Sequence, residues 1–226
     1  MNPHPFQRLR RACAFTTTEL MVGLGIMSLT MTAVVAFTFQ AMNVYAYDTG
    51  RLLVNHDIRK FTGDMVTDAV FANYFQIFQD FSTRGVARAD GQTGDFLLLV
   101  TTEVDSNGRT LVKSMVGYYR DATSTTAGPV RRFSATLNPA AIIGSPTNTT
   151  LSPPVYTMSD LLDAYAPTSG SGSNGIVIQL AQGLSSGNMF YNFKDHSIMI
   201  RSQINEQGSM LRRAVNTYNF TVSPRG

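Results

Sequence analysis

Cysteine is almost absent from this chain. Cys13 is the only one, so no internal disulfide braces any part of it and no paired-cysteine metal site forms. Leu9-Arg10-Arg11-Ala12 precedes Cys13, whereas a lipid-modified cysteine would follow an apolar stretch. Charge is scarce too: Asp, Glu, Lys and Arg make up 15% of the residues, and from Leu20 to Phe39 there is no ionisable side chain. A helix needs about 20 apolar residues to cross the hydrocarbon core of a bilayer. The run supplies them, so the sequence predicts a protein held in a membrane.

Constellations that carry chemistry are also missing. There are three histidines. His4 precedes the apolar run, His56 falls on a predicted helix and His196 sits in the turn-like Lys194-Asp195-His196. None has a partner at metal-ligand spacing. No glycine-rich phosphate loop leads into a helix, and there is no Gly-x-Ser-x-Gly elbow. The sequence therefore predicts no catalytic residue, no metal, no cofactor and no enzymatic activity.

The formal net charge of +3 comes from one place. Arg8, Arg10 and Arg11 precede the apolar run, and without them the remaining basic residues equal the 15 acidic ones. Net charge thus implies no nucleic-acid partner. Basic residues flanking a membrane segment stay in the cytoplasm, which predicts a cytoplasmic N-terminus and an extracytoplasmic remainder.

In a secretory signal the cleavage site follows the apolar stretch, which is discarded. Here the order is reversed. The small residues Ala12 and Ala14 lie ahead of it, followed by Phe15-Thr16-Thr17-Thr18-Glu19 and then the apolar run. These residues resemble the prepilin cleavage and methylation motif of type IV pilins and type II secretion pseudopilins. The resemblance implies a prepilin peptidase that cuts between Ala14 and Phe15 and methylation of the new amino group. The family usually has Gly where Ala14 stands. Glu19 matches the family's fifth-position glutamate, which pairs with the amine of a neighbouring subunit during assembly. On a helix Phe15 and Glu19 are one turn apart; Glu19 alternatively favours the positive N-terminal end of the helix dipole. Ser28, Thr32 and Ala36 recur every four residues as a small-residue face where another helix can approach, unless the hydroxyls merely bond their own helix in lipid. Many major pilins carry a proline midway along this helix, and this segment has none.

Beyond the membrane segment, Val54, Ile58, Phe61, Met65, Ala69, Ala72 and Phe75 keep the spacing of one apolar helix face. That predicts an amphipathic continuation packed on a head domain. Phe71, Tyr74, Phe75, Phe78 and Phe81 form an aromatic cluster at its end. Phe96 to Val104 and Leu111 to Tyr119, joined by Asp105-Ser106-Asn107-Gly108, read as a hairpin. Tyr118 and Tyr119, followed by Arg131 and Arg132 before Phe133, resemble a tyrosine-strand, loop, arginine-strand pattern of larger minor pseudopilins. Residues 138 to 175 read as an insertion with a short helix over 158–165 and Ser159 as its cap. Strands follow over 176–180, 197–204 and 211–222, with a turn at Glu206-Gln207-Gly208-Ser209.

The expected organisation is α+β, a long N-terminal helix packed on an antiparallel sheet: a leader over 1–14, a transmembrane helix over 15–42, its amphipathic continuation over 43–81 and an extracytoplasmic head over 87–226. The resemblance implies a minor pilin or minor pseudopilin in the bacterial inner membrane. Its partners would be other pilin subunits, prepilin peptidase, the assembly platform and the lipid bilayer. Some pseudopilins bind calcium in an acidic C-terminal loop; Ser202 to Gly226 holds one acid, Glu206, so no calcium is expected. Two other readings are a tip adhesin or DNA receptor, with Arg131, Arg132, Arg212 and Arg213 as a basic patch and Tyr118 or Tyr119 stacking on bases, and a plain signal-anchored domain.

Overall fold

A computed structural model describes residues 16–120, 130–167, 175–178, 188–209 and 212–225. The fold is α+β. Among the described residues a helix, α1 (Thr17–Phe71), precedes ten strands and one further helix, α2 (Met158–Tyr165). The chain divides into two compact units, Met1–Ala46 and Tyr47–Gly226.

The first unit, over its described residues, is the helix alone. Every side chain from Thr16 to Ala46 is exposed. Among the described residues no side chain of this stretch is buried; its backbone bonds close inside the helix, which is what a segment solvated by lipid requires.

In the second unit the remainder of α1 buries one stripe. Phe61, Met65, Ala69 and Ala72 are all at most 1% exposed and belong to one core with Leu97, Leu99 and Phe190. The helix stops at Phe71, ten residues short of the expected boundary at residue 81. Ala72 N–H still bonds to Asp68 O at 3.1 Å, but Asn73 N–H turns to Val100 O at 3.0 Å. The chain then runs as β1 (Tyr74–Phe78) with burial alternating along it. Aromatic residues suit a strand as well as a helix, and Asn73 decides between them by placing its side-chain oxygen on Thr102 N–H at 2.9 Å. The predicted aromatic cluster is correspondingly divided: Phe75 faces one core, Phe78 and Phe81 the other, and Phe71 and Tyr74 are exposed.

Six strands form the first sheet: β1, β3 (Phe96–Val104), β4 (Thr110–Arg120), β5 (Val130–Ile143) and β6 (Val155–Tyr156) in that order, with β7 (Gly175–Ile178) also on β5. The second holds β10 (Arg212–Val222), β9 (Ser197–Ser209), β8 (Phe190–Phe193) and β2 (Thr93–Gly94). Pairing is antiparallel except for β5 with β6. The predicted hairpin is β3–β4. Asp105 holds its turn by accepting from Asn107 N–H and Arg109 N–H, both at 2.8 Å, and Gly108 supplies the positive φ of 77°.

Both faces of the first sheet are covered, which explains the unbroken apolar run Phe96-Leu97-Leu98-Leu99-Val100. Leu97 and Leu99 face α1 and the second sheet, including Phe190, Ile198 and Ile200. Phe96, Leu98 and Val100 face a second core with Phe81, Tyr119 and Phe133. Phe81 and Tyr119 stack at 3.9 Å between ring centroids. Gly117 is required there, because a Cβ at that position would lie 2.0 Å from the Phe133 ring.

Three expectations change. Residues 138–143 belong to β5 rather than to an insertion; Pro139, which suggests a break, falls where the β4–β5 register shifts. Thr157, not Ser159, caps α2, its side chain accepting from Asp160 N–H; Leu161 and Leu162 are fully buried, so this stretch is part of the core. Glu206 to Ser209 continue β9, with Gln207 opposite Arg213 and Ser209 opposite Arg212. Gly208 takes the irregular position there, a bulge rather than a turn.

Candidate functional site

Ala14 and Phe15, the predicted processing pair, lie outside the described residues. The rest of the N-terminal constellation is on the page. Thr16 precedes the first helical residue, and Glu19 lies in the first turn. Glu19 Oε2 accepts from Thr16 N–H and from the Thr16 hydroxyl, both at 3.0 Å, while Glu19 N–H donates to Thr16 Oγ1 at 3.3 Å. This is a reciprocal capping box, which satisfies donors that a helix N-terminus leaves open. Within one chain, then, Glu19 serves its own helix end.

Ser28, Thr32 and Ala36 are exposed along the same helix. The Ser28 hydroxyl donates to Gly25 O at 2.9 Å and that of Thr32 to Ser28 O at 2.8 Å. Thr30 and Thr38 do the same with Met27 O and Val34 O. The hydroxyls thus need no external partner, and the surface they leave is narrow. α1 is long and apolar enough to cross a membrane.

A second constellation fixes α1 to the head. Asp68 stands in the buried stripe between Met65 and Ala69. Arg132 on β5 grips it with both arms of the guanidinium: Nε to Oδ2 at 2.8 Å and Nη2 to Oδ1 at 2.9 Å. The Tyr118 hydroxyl, on β4, also donates to Oδ2. Tyr118 and Arg132 face each other across the β4–β5 ladder. Burial and the neighbouring Asp68 carboxylate push the Tyr118 phenol far above its ordinary range, and the Asp68 hydrogen bonds hold Arg132 more firmly protonated. The sequence contained a signal for this. An acid three residues after Met65 falls on the apolar face and must find a partner there.

The same geometry bears on the DNA-receptor reading. Tyr118 and Tyr119 are at most 1% exposed and present no face for a base. Arg132 is committed to Asp68. Arg131 lies on β5 and Arg212 and Arg213 on β10, which belong to different sheets, so their strands are not neighbours.

A buried carboxylate also ties the sheets together. Asp95 lies between β2 and β3, where the chain passes from the second sheet to the first. It is 7% exposed. Its carboxylate accepts from Met189 N–H at 2.9 Å and from the Arg120 guanidinium. Burial pushes this carboxyl upward, against the pull of Met189 N–H and Arg120.

A polar cleft of about 350 Å³ lies between the segment after β1 and α2, lined by Phe81, Ser82, Thr83, Arg84, Ser159 and Asp163 among others. Its arginine is paired with Asp163 at 3.0 Å, and the Ser82 and Thr83 hydroxyls donate to Asp80. His56 Nδ1 lies 3.5 Å from Asp57 Oδ1, and His196 N–H closes the β8–β9 turn on Phe193 O. Among the described residues no three potential metal ligands cluster. No family model, no curated protein and no solved structure matches the chain.

Proposed function

We propose that this protein is a non-enzymatic, pilin-like structural subunit, a minor pilin of a type IV pilus or a minor pseudopilin of a type II secretion filament. One observation carries the reading: the ordered N-terminal series of basic residues, small Ala14, Phe15, hydroxyl residues and Glu19, all ahead of the apolar helix and not after it. In this account prepilin peptidase removes residues 1–14 and the amine of Phe15 is methylated. The helix holds the subunit in the inner membrane with its head in the periplasm. On assembly Glu19 exchanges its own cap for the amine of a neighbour, and Ser28, Thr32 and Ala36 admit neighbouring helices.

The head supports this reading through its attachment. The Asp68–Arg132–Tyr118 clasp and the buried stripe join α1 to β4 and β5, so load on the helix passes into the sheet. A head of this size, with α2 built into its core, is bulky for a repeating shaft and favours a low-copy position. The tip-receptor reading loses its DNA-stacking residues to the core, and a plain signal-anchored domain leaves the motif order unexplained.

Intact mass and N-terminal sequencing of protein recovered from membranes, with and without co-expressed prepilin peptidase, test the proposal. The expected product starts at Phe15 and carries one extra methyl group. An N-terminus that keeps Met1 or Asn2 beside active peptidase overturns it in favour of the signal-anchored domain.

A further inference from the structure

The uncharged part of α1 is longer than a bilayer's hydrocarbon core. No Asp, Glu, Lys or Arg occurs between Glu19 and Asp48, a span of about 28 residues and ~42 Å of helix against a core of about 30 Å. Something other than charge must therefore set how deep the helix sits. At the N-terminal end, the Thr16–Glu19 box places a carboxylate and a hydroxyl together. Moving toward the head, the side chains stay apolar or bond their own helix as far as Phe39. The amides Gln40 and Asn43 follow, and then Tyr45, which is 75% exposed and the first tyrosine in the sequence.

We propose that Tyr45 is a lipid-interface anchor, seated in the headgroup layer of the leaflet facing the head domain while Glu19 occupies the opposite layer. Tyr45 lies about 26 residues beyond Glu19 on the continuous helix, ~39 Å at 1.5 Å per residue, and a bilayer with its headgroup layers measures about 40–45 Å. A phenol suits that layer, with its ring against the acyl boundary and its hydroxyl in water. The hydrocarbon then holds the helix from about residue 22 to about residue 41, and Gln40 reaches outward at its edge. The partner is the headgroup layer of a bilayer. The inference rests on the membrane anchorage proposed above and is independent of filament assembly.

The chain contains no tryptophan, so one introduced indole reports its own depth. Full-length Tyr45→Trp and Val34→Trp proteins are reconstituted separately in phosphatidylcholine vesicles carrying a nitroxide either on the headgroup or at mid-chain. The expected ratio of headgroup to mid-chain quenching is above one for Tyr45→Trp and below one for Val34→Trp. A ratio below one at both positions places Tyr45 inside the hydrocarbon and overturns the anchor while leaving the membrane helix intact. Quenching of Val34→Trp alone, with Tyr45→Trp open to aqueous iodide, places Tyr45 in water and also overturns it. Absence of lipid quenching at both positions overturns the anchor and the membrane reading together.

Discussion

Two stretches of one helix are built by opposite rules. From Thr16 to Ala46 every side chain is exposed, acidic and basic residues are absent after Glu19, and hydroxyls are satisfied inside the helix. From Phe61 to Phe71 the sequence mixes charges with a stripe in which Phe61, Met65 and Ala69 are almost completely buried, and one acid beside that stripe is gripped by a guanidinium and a phenol. Backbone geometry is the same in both. The side chains of the two stretches suit different media: lipid tolerates an apolar surface on all sides, whereas water requires an apolar stripe to be covered.

Phenylalanine occurs in both stretches, which permits a direct test. Phe61 is 1% exposed and packs edge-on against Tyr118 at 5.8 Å, while Phe37 is 73% exposed. Phe61→Ala is expected to cost the head about 3–5 kcal/mol, and Phe37→Ala less than about 0.5 kcal/mol. Urea titration of the detergent-solubilised protein, followed by tyrosine fluorescence, measures both. Equal losses would mean that the first stretch also packs against protein.

A smaller effect is expected at the clasp. Breaking a buried ion pair leaves an unpaired charge and costs about 3–5 kcal/mol, but the Arg132 side chain is 34% exposed and water compensates part of the loss. Asp68→Ala is therefore expected to cost about 2 kcal/mol. In a double-mutant cycle with Arg132→Ala, a coupling of about 1–2 kcal/mol is expected. Additive losses would mean that the stripe alone attaches the helix, and that the clasp selects its register without stabilising it.

The comparison also shows what the sequence made legible. The apolar helix of membrane-crossing length was legible because about 20 successive residues without charge stand out by composition alone. The β3–β4 hairpin is equally plain, since Asp105, Asn107 and Gly108 specify its turn locally. The end of α1 is not local. Phe75 fits the helical face as well as the strand alternation it shares with Ile77, and the choice depends on Asn73 meeting β3 some 29 residues later. Strand β8 was missed because its four residues become a strand only by pairing with β9 and β2. In the candidate site, the spacing of Ser28, Thr32 and Ala36 was readable as one line along a helix, and Glu19 was singled out by the motif it resembles. Asp68 was passed over as one polar residue among several, although its position on the apolar face marked it.

The smallest expected effect concerns Ser28, Thr32 and Ala36, and it separates two uses of the same surface. Because the Ser28 and Thr32 hydroxyls already bond Gly25 O and Ser28 O, replacing both with Ala removes no external contact and keeps the surface narrow. Leucine at both positions is equally compatible with lipid but fills the space a neighbouring backbone would occupy. If helices pack here, the Ala pair leaves association of full-length subunits in vesicles unchanged, as read by energy transfer between labelled copies. The Leu pair weakens it about threefold, corresponding to the ~0.6 kcal/mol typical of one interhelical contact in a membrane. Equal loss in both variants would transfer the role from smallness to the hydroxyls. No loss in either would mean that this face meets only lipid, leaving Glu19 as the sole assembly contact on the membrane half of the helix.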